Sequence, residues 1–210
     1  MFVDKRKQIQ KKLRSATSTG ELMAACREWA DTYDRDLMDT MGYVAPALAC
    51  EALERYLEGR DGSILDVGCG TGIVGDILHR HGYRIIDGLD YSKDMLSKAS
   101  EKGVYRKLLQ ADLTKAVDIP THSYDAIISV GTFTMRHVGP DAFHELIRIT
   151  SPNGYICVTV RMEAWISENF RDAMRVMENE GLWQLEELYT APYVREDESS
   201  CKLCLYRILS

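Results

Sequence analysis

Three glycines and one aspartate in the first half of the chain have the spacing of a ligand-binding turn. Gly68, Gly70 and Gly72 directly follow the apolar segment 63–67, in which Asp66 is the single acid, and a helical pattern comes next. Glycine adopts positive φ angles and leaves no side chain between the backbone and a ligand. Because the first amides of a helix attract anions, the turn predicts a binding site for a phosphate or a carboxylate.

Two further acids follow the next two apolar segments. Asp90 directly follows the segment 84–89, and Asp112 comes shortly after the segment 105–110. If these segments are parallel strands, both acids and Asp66 lie at one edge of the sheet. A carboxylate can accept hydrogen bonds from the hydroxyls of a ribose, whereas several carboxylates would repel a pyrophosphate and attract a cation. The three acids therefore favour a nucleoside with a cationic group.

The neighbours of these acids suit an aromatic base. The Asp112 carboxylate can accept a hydrogen bond from the amino group of an adenine, and the Leu113 N–H can face a ring nitrogen. Met95, one turn into the helix predicted after Asp90, can cover an apolar base, although a methionine at such a position is more often part of the core.

Seven short apolar segments, most of them separated by helical patterns, position these residues. This alternation is typical of parallel βαβ units, so we predict an α/β fold with a doubly wound, mostly parallel seven-stranded sheet. The last two segments have only a polar turn between them and are expected to pair as an antiparallel hairpin. The predicted strands are residues 63–67, 84–89, 105–110, 124–130, 155–160, 183–190 and 202–209.

Two helices are expected before the first strand. One follows the capping box formed by Ser18 and Glu21, and the other has Pro46 in its first turn. After the fourth strand, the periodicity predicts a helix near residues 141–150 and a turn over residues 151–154. It also predicts one long helix over residues 164–180.

Composition and charge argue against several classes of protein. The chain has 210 residues, of which 45% are hydrophobic and 28% charged, and this suits one folded domain with or without a small appendage. The net charge of −6 argues against nucleic acid as a partner. No apolar run approaches the ~20 residues of a membrane helix, so no membrane partner is expected. The basic segment 1–15 is interpreted as a solvated helix or frayed tail rather than a mitochondrial address.

The six cysteines predict a reducing, cytoplasmic location, because they are scattered and no secretory signal precedes them. Cys201 and Cys204 have the CxxC spacing of some metal sites, but they lie in a predicted strand. Residues three apart on a strand point to opposite faces. No metal is therefore expected.

Three motifs together resemble the class I S-adenosylmethionine-dependent methyltransferases. Residues 65–72, Leu-Asp-Val-Gly-Cys-Gly-Thr-Gly, are similar to the first motif of that family. Residues 90–92 and 110–113 are similar to its second and third cofactor motifs in order and spacing. Residues 29–34 and 43–46 also resemble a subgroup, the methyltransferase-like proteins named after the Williams–Beuren syndrome chromosomal region.

This resemblance implies a Rossmann-like methyltransferase fold, with residues 1–60 as a helical lid and residues 61–210 as the domain that binds S-adenosylmethionine. Asp66 would lie near the ammonium group, Asp90 would hold the ribose, and Asp112 would read the adenine edge. Tyr33, with Tyr43 as a further candidate, would close over the cofactor. The full set implied to bind it is Tyr33, Asp66, Gly68, Cys69, Gly70, Gly72, Asp90, Tyr91, Met95, Asp112, Leu113, Val130 and Gly131.

The implied reaction is methyl transfer to an acceptor that the sequence does not identify. The acceptor would lie at the loop 131–138, which lacks the Asn/Asp-Pro-Pro-aromatic signature of certain amino-group methyltransferases. His137 is a weak candidate for a base, and Arg136 or Arg161 for holding an acidic acceptor; each is more often structural or solvated. The negative net charge favours a small molecule over nucleic acid as the acceptor. A protein acceptor is the remaining alternative.

Two other functions fit parts of the sequence. Residues 70–75 spell the G-x-G-x-x-G of a dinucleotide-dependent oxidoreductase, with Asp90 at the expected offset. The earlier Gly68 and Asp66, and the acid at Asp112, argue against that interpretation. The chain could also be a cofactor-binding or interaction module without turnover, since methyl transfer requires no obligatory catalytic side chain.

Overall fold

The computed structural model describes residues 36–135 and 138–209, together with Lys12, Glu21 and Asp34. The helix predicted after Ser18 lies outside these residues. Within the described part, no helix is both long and apolar enough to cross a bilayer.

The sheet has seven strands in the order β3-β2-β1-β4-β5-β7-β6, and β7 is the one strand that runs opposite to the other six. This confirms the predicted doubly wound, mostly parallel sheet and the antiparallel pairing of its last two strands. All four residues of β1 are buried, as is typical of a central strand covered on both faces. The strands are β1 (Ile64–Val67), β2 (Ile86–Asp90), β3 (Lys107–Gln110), β4 (Tyr124–Phe133), β5 (Thr150–Arg161), β6 (Trp183–Val194) and β7 (Ser199–Ile208).

Six α-helices and one π-helical segment, Asp36–Met41, belong to the described residues. Pro46 lies in the first turn of its helix, as predicted, because proline needs no amide partner there. Ser92 caps another helix by accepting a hydrogen bond from the Met95 amide at 3.3 Å. The helices are α1 (Ala45–Glu54), α2 (Ile73–Arg80), α3 (Lys93–Glu101), α4 (Ala142–Ile149), α5 (Met162–Ser167) and α6 (Phe170–Asn179).

The single long helix predicted over residues 164–180 is wrong. Two helices, α5 and α6, occupy this region, and Asn169 between them has a φ angle of 56°. A left-handed residue cannot continue an α-helix, and asparagine tolerates that conformation better than most residues. The break lets Phe170 begin α6 with its side chain fully buried.

The turn predicted at residues 151–154 is part of an irregular stretch of β5. Thr150 pairs with Tyr124, whereas the next pair along the two strands joins Tyr155 to Ala126. The intervening residues therefore bulge out of the ladder, and Asn153 has a φ angle of 63°.

Hydrophobic clusters cover both faces of the sheet. Cys201 belongs to one cluster and Cys204 to the other, so their side chains lie on opposite faces, as the strand periodicity predicts. The five cysteines of the described residues are free and buried. Within the same part of the chain, no group of three or more potential metal ligands comes together.

The segment before α1 is attached to the far end of the sheet. Tyr43 forms a β-bridge with Val194 at the end of β6, and the Val44 amide donates to the carbonyl of Tyr193 at 3.1 Å. On the other side of this bridge, the amide of Arg195 donates to the carbonyl of Gly42 at 3.1 Å. These backbone bonds place the side chain of Tyr43 above the carboxyl ends of the strands.

Candidate cofactor-binding cleft

A cleft of about 320 Å³ lies at the carboxyl ends of β1, β2, β3 and β4. Its volume is within the range of about 300–1,000 Å³ for small-molecule sites. A second hollow, about 430 Å³, lies at the opposite edge of the sheet. Ligands of doubly wound sheets bind at the carboxyl edge, so the cleft is the candidate site. Ten predicted residues line it: Gly68, Cys69, Gly70, Asp90, Tyr91, Met95, Asp112, Leu113, Val130 and Gly131.

The glycine turn is held against the neighbouring strands. The amides of Gly68 and Cys69 both donate to the carbonyl of Leu89 in β2, at 2.7 and 3.0 Å. Gly68 has a φ angle of 71°, and a Cβ there would come 2.0 Å from the hydroxyl oxygen of Thr132 in β4. Any other residue would therefore clash with β4 and strain the turn. Gly72, with a φ angle of 89°, precedes α2 and does not line the cleft.

Asp90 joins the glycine turn to the start of α3. One carboxylate oxygen accepts from the Gly70 amide and the other from the Ser92 amide, each at 2.8 Å. Burial raises the pKa of Asp90 above its ordinary value, and the backbone hydrogen bonds oppose that rise. The Tyr91 amide also hydrogen-bonds this carboxylate, so three backbone amides hold Asp90, and one of the four lone pairs on its oxygens is left for a ligand hydroxyl.

An apolar slot with a polar end lies beside Asp90. Met95 and Leu113 are nearly fully buried along its length, and Tyr91 is half exposed at its rim. At the end of the slot, one oxygen of Asp112 accepts from the amide and the hydroxyl of Thr114 at 3.0 and 2.7 Å. These hydrogen bonds lower the pKa of Asp112, which keeps it ionised at neutral pH.

Asp66 does not line the cleft but lies beneath it. Its side chain is 1% exposed, and one of its oxygens accepts a 2.6 Å hydrogen bond from the hydroxyl of Tyr105. Burial raises the pKa of Asp66 to about 7, and the negative charge of Asp90 adds to the rise. The hydrogen bonds from Tyr105 and the Gly75 amide act in the opposite direction.

Gly75 makes room for the aromatic ring that reaches Asp66. A Cβ at Gly75 would come 2.3 Å from the ring of Tyr105, and one at Gly88 would come 3.1 Å from the same ring. Both glycines therefore allow the tyrosine to pass between α2 and β2. Gly75, the last glycine of the G-x-G-x-x-G pattern, therefore makes room for the side chain of Tyr105.

Two tyrosines from distant parts of the chain meet at the opposite wall of the cleft. The hydroxyl of Tyr43 donates to that of Tyr193 at 3.0 Å, and the ring centroids are 4.9 Å apart. A Cβ at Gly131 would lie 3.0 Å from both hydroxyl oxygens. The guanidinium of Arg161 covers the ring of Tyr193 at 4.5 Å, a cation–π contact.

The sequence reasoning missed several residues of this wall. Tyr193 carries no local signal, because it reaches the cleft only through the pairing of β6 with the segment before α1. Thr132 lay within the predicted acceptor loop but was not singled out. Arg161, a predicted holder of an acidic acceptor, hydrogen-bonds Glu163 at 3.2 Å, and its proposed role stays a prediction. Tyr33, Arg136 and His137 lie outside the described residues.

Known proteins resemble this chain in sequence and in structure. The family model described as "Methyltransferase domain" matches residues 65–158. Human methyltransferase-like protein 27 is 34% identical over 163 residues, which are 74% of this chain and 65% of the relative. The 18S rRNA (guanine(1575)-N(7))-methyltransferase of Saccharomyces cerevisiae is 36% identical over 67 residues, 32% of this chain and 24% of the relative. The chain thus spans less than two thirds of these relatives.

Solved structures share the fold. A TehB-like S-adenosylmethionine-dependent methyltransferase from Corynebacterium glutamicum has a TM-score of 0.66 at 19% identity, covering 88% of this chain and 98% of its own. An S-adenosylmethionine-dependent methyltransferase from Mesorhizobium loti has a TM-score of 0.58 at 18% identity, covering 75% and 96%. At this level of identity, the two structures show a shared fold.

We predict that Gly75→Ala destabilises the protein by about 1–3 kcal/mol, the usual cost of overpacking. Alanine is normally the better residue inside a helix, so a loss in the free energy of urea unfolding would report the clash with Tyr105. In a Gly75→Ala/Tyr105→Ala double variant, the two losses should be less than additive. The control is Gly62→Ala, whose Cβ meets only ordinary contacts at 3.6 Å. Fully additive losses would contradict the assignment.

Proposed function

Because this chain belongs to the class I S-adenosylmethionine-dependent methyltransferases, we propose that it transfers the methyl group of S-adenosylmethionine to a small-molecule acceptor. The observation that carries the proposal is Asp90, a carboxylate that lines the cleft and that backbone amides hold in place with hydrogen-bonding capacity left for a ligand hydroxyl. A ribose hydroxyl is a donor that matches this acceptor.

The cofactor's parts are assigned to the cleft as follows. Asp90 would hold the ribose, and the slot between Met95 and Leu113 would take the adenine, with Tyr91 at the rim and Asp112 at the edge of the base. The methionine portion would lie along the glycine turn and against Val130 and Gly131. Asp66 would act on its ammonium group from beneath the turn. The remaining residues of the proposed cofactor site are Tyr33, Gly68, Cys69, Gly70 and Gly72.

The charges of the cleft favour this cofactor over a dinucleotide. Asp90 and Asp112 line the cleft and Asp66 lies below it, whereas no lysine, arginine or histidine among the described residues lines it. S-adenosylmethionine has a sulfonium and an ammonium, which carboxylates attract, and a pyrophosphate would be repelled.

Methyl transfer requires alignment more than proton chemistry. The bound cofactor supplies an electrophilic methyl carbon and a neutral thioether as leaving group. The chain would orient the cofactor through Asp90 and the glycine turn and exclude water with its apolar slot. The acceptor would approach along the wall formed by Tyr43, Tyr193 and Thr132. No residue of the described chain is assigned as a base, and His137 stays a weak candidate.

A small molecule is the proposed acceptor because the chain is acidic. The net charge of −6 and the anionic cleft would oppose a phosphate backbone at the site of transfer. The relatives include rRNA methyltransferases, so RNA is tested alongside small molecules. A reducing, cytoplasmic location stays a prediction, and the free, buried cysteines support it.

We predict that Asp90→Ala weakens binding of S-adenosylmethionine and of S-adenosylhomocysteine by about 1–3 kcal/mol, because hydrogen bonds to a charged group are lost. Isothermal titration calorimetry measures this, with thermal unfolding as the check that the variant is folded. The matched control is Asp118→Ala at an exposed position away from the cleft. The wild-type chain should give no binding heat with NADH. Unchanged affinity in folded Asp90→Ala would overturn the ribose assignment.

A labelled-methyl experiment tests turnover and the class of acceptor. The wild-type chain and Asp90→Ala are incubated with methyl-labelled S-adenosylmethionine and, separately, with small-metabolite, protein and RNA fractions. We expect label in the small-metabolite fraction, reduced in the variant. Label only in RNA or only in protein would refute the small-molecule acceptor. Tight cofactor binding without label in any fraction would favour a binding module.

We also propose that residues 1–60 act as a lid on a methyltransferase domain of residues 61–210. Asp34 supports this proposal, because its carboxylate contacts the hydroxyl of Thr71 in the glycine turn and the ammonium of Lys102 after α3. Thr71 also lines the cleft. The backbone bonds of Tyr43 and Val44 to β6 hold the other end of this segment.

The lid predicts that bound S-adenosylhomocysteine slows tryptic cleavage after Arg35, because a filled cleft stabilises the closed segment. Asp34→Ala should speed that cleavage in the absence of ligand. Gel electrophoresis and mass spectrometry follow the products, and digestion of an unrelated denatured protein shows whether the ligand affects trypsin. Equal cleavage rates with and without ligand would argue against a lid.

A further inference from the structure

Asp66 is a buried carboxylate without a cationic partner among the described residues. The groups that face it are the phenol of Tyr105, the carboxylate of Asp90 and the thiols of Cys69 and Cys50. All of these are neutral or negative, and both thiols have pKa values raised by burial. An isolated buried charge is costly, and a nearby carboxylate adds to the cost.

Tyr105 fixes the orientation of this carboxylate. Its hydroxyl donates to Asp66 at 2.6 Å, and its ring passes between Gly75 and Gly88. Burial raises the pKa of Tyr105, so its hydroxyl stays protonated and remains a donor. Among the described residues, Tyr105 supplies the side-chain hydrogen bond to Asp66 and the Gly75 amide supplies a backbone one, so these two donors hold the carboxylate in place.

Asp66 is electrostatically coupled to the cleft above it. Asp90 and Cys69 both line the cleft, and each interacts electrostatically with Asp66. A cation bound along the glycine turn would therefore act on Asp66 at short range, in a part of the protein that excludes water. A nearby positive charge favours the ionised form of a carboxylate.

We propose that the cofactor's ammonium enters the cleft in exchange for a proton of Asp66, with Tyr105 as the positioning residue of this exchange. The O–H bond of the protonated carboxyl breaks, its proton leaves to solvent, and no bond forms to the cofactor. The inference rests on the proposed function, because it takes the ligand to be S-adenosylmethionine or its product. It assigns Asp66 a role in selecting the cationic amino-acid end of that ligand.

The direction of the pH dependence follows from the raised pKa of Asp66. With a pKa of about 7, half of the free protein carries the proton at pH 7 and nearly all of it at pH 5.5. A ligand that binds only the ionised form must displace that proton, so its affinity falls as the pH falls. Between pH 7 and pH 5.5 the expected loss of affinity is about 15-fold.

Calorimetry of the full chain with S-adenosylhomocysteine tests this. Titrations at pH 7 in two buffers of different ionisation enthalpy give the number of protons released, which should be about one half per ligand bound. The comparison ligand is 5′-methylthioadenosine, which has the same adenosine but no amino-acid portion. It should release none. Both ligands would contact Asp90 through the ribose, so their difference isolates the amino-acid portion, which carries the ammonium.

Variants separate the roles of the two residues. Asp66→Asn should abolish proton release, since the asparagine side chain cannot ionise. Tyr105→Phe removes a hydrogen bond that favours the ionised form, so release at pH 7 should rise toward one proton and the affinity should fall. Asp118→Asn, at an exposed position, should leave release unchanged. Circular dichroism verifies folding, and if Asp66→Asn does not fold, Tyr105→Phe and the ligand comparison still decide.

Two outcomes would overturn the inference while leaving the proposed function intact. One is tight binding of S-adenosylhomocysteine without proton release and without loss of affinity at pH 5.5. The other is equal proton release by S-adenosylhomocysteine and 5′-methylthioadenosine, which would move the exchange to Asp90. If S-adenosylhomocysteine and S-adenosylmethionine both fail to bind, the proposed function fails instead.

Discussion

The site depends on uncompensated negative charge at the carboxyl edge of the central strands. Asp87 in β2 shows the contrast, because it is equally buried yet accepts hydrogen bonds from two guanidinium nitrogens of Arg106, Nε and Nη2, at 2.8–2.9 Å. Those bonds and one from Tyr124 lower the pKa of Asp87 despite its burial. Asp66 and Asp90 have raised pKa values and only amide or hydroxyl donors. Such carboxylates suit a cationic ligand better than a structural role.

The backbone of the glycine turn and of the start of α3 supplies the amide donors that hold Asp90. The glycine turn brings the Gly70 amide to Asp90, and it can do so only because Gly68 approaches β4 with no side chain. The sheet order places β2 and β4 on either side of β1, so the turn after β1 is tied to both neighbours. A rigid turn holds the acceptor atoms in place before the ligand arrives, which lowers the entropy cost of binding.

The sequence predicted the part of the site that follows directly from strand ends. Asp90, Asp112 and the glycine turn lie in the cleft because parallel strands bring their carboxyl ends together. Tyr193 was not predictable, since its position depends on an antiparallel hairpin and on a bridge to Tyr43, 150 residues away. The break at Asn169 was missed because the helical periodicity continues through it, and tertiary packing overrides local pattern.

The two walls of the cleft differ in charge, and this difference suits methyl transfer. On the proposed function, the cofactor carries a sulfonium before transfer and a neutral thioether afterwards. The carboxylates of the cofactor side would attract the substrate form more strongly than the product form, which favours exchange after each turnover. On the opposite wall, the described side chains that line the cleft, among them Tyr43, Tyr193 and Thr132, are uncharged, and Arg161 covers the Tyr193 ring without lining the cleft. An acceptor there would meet the methyl carbon without competing for the charges that hold the cofactor.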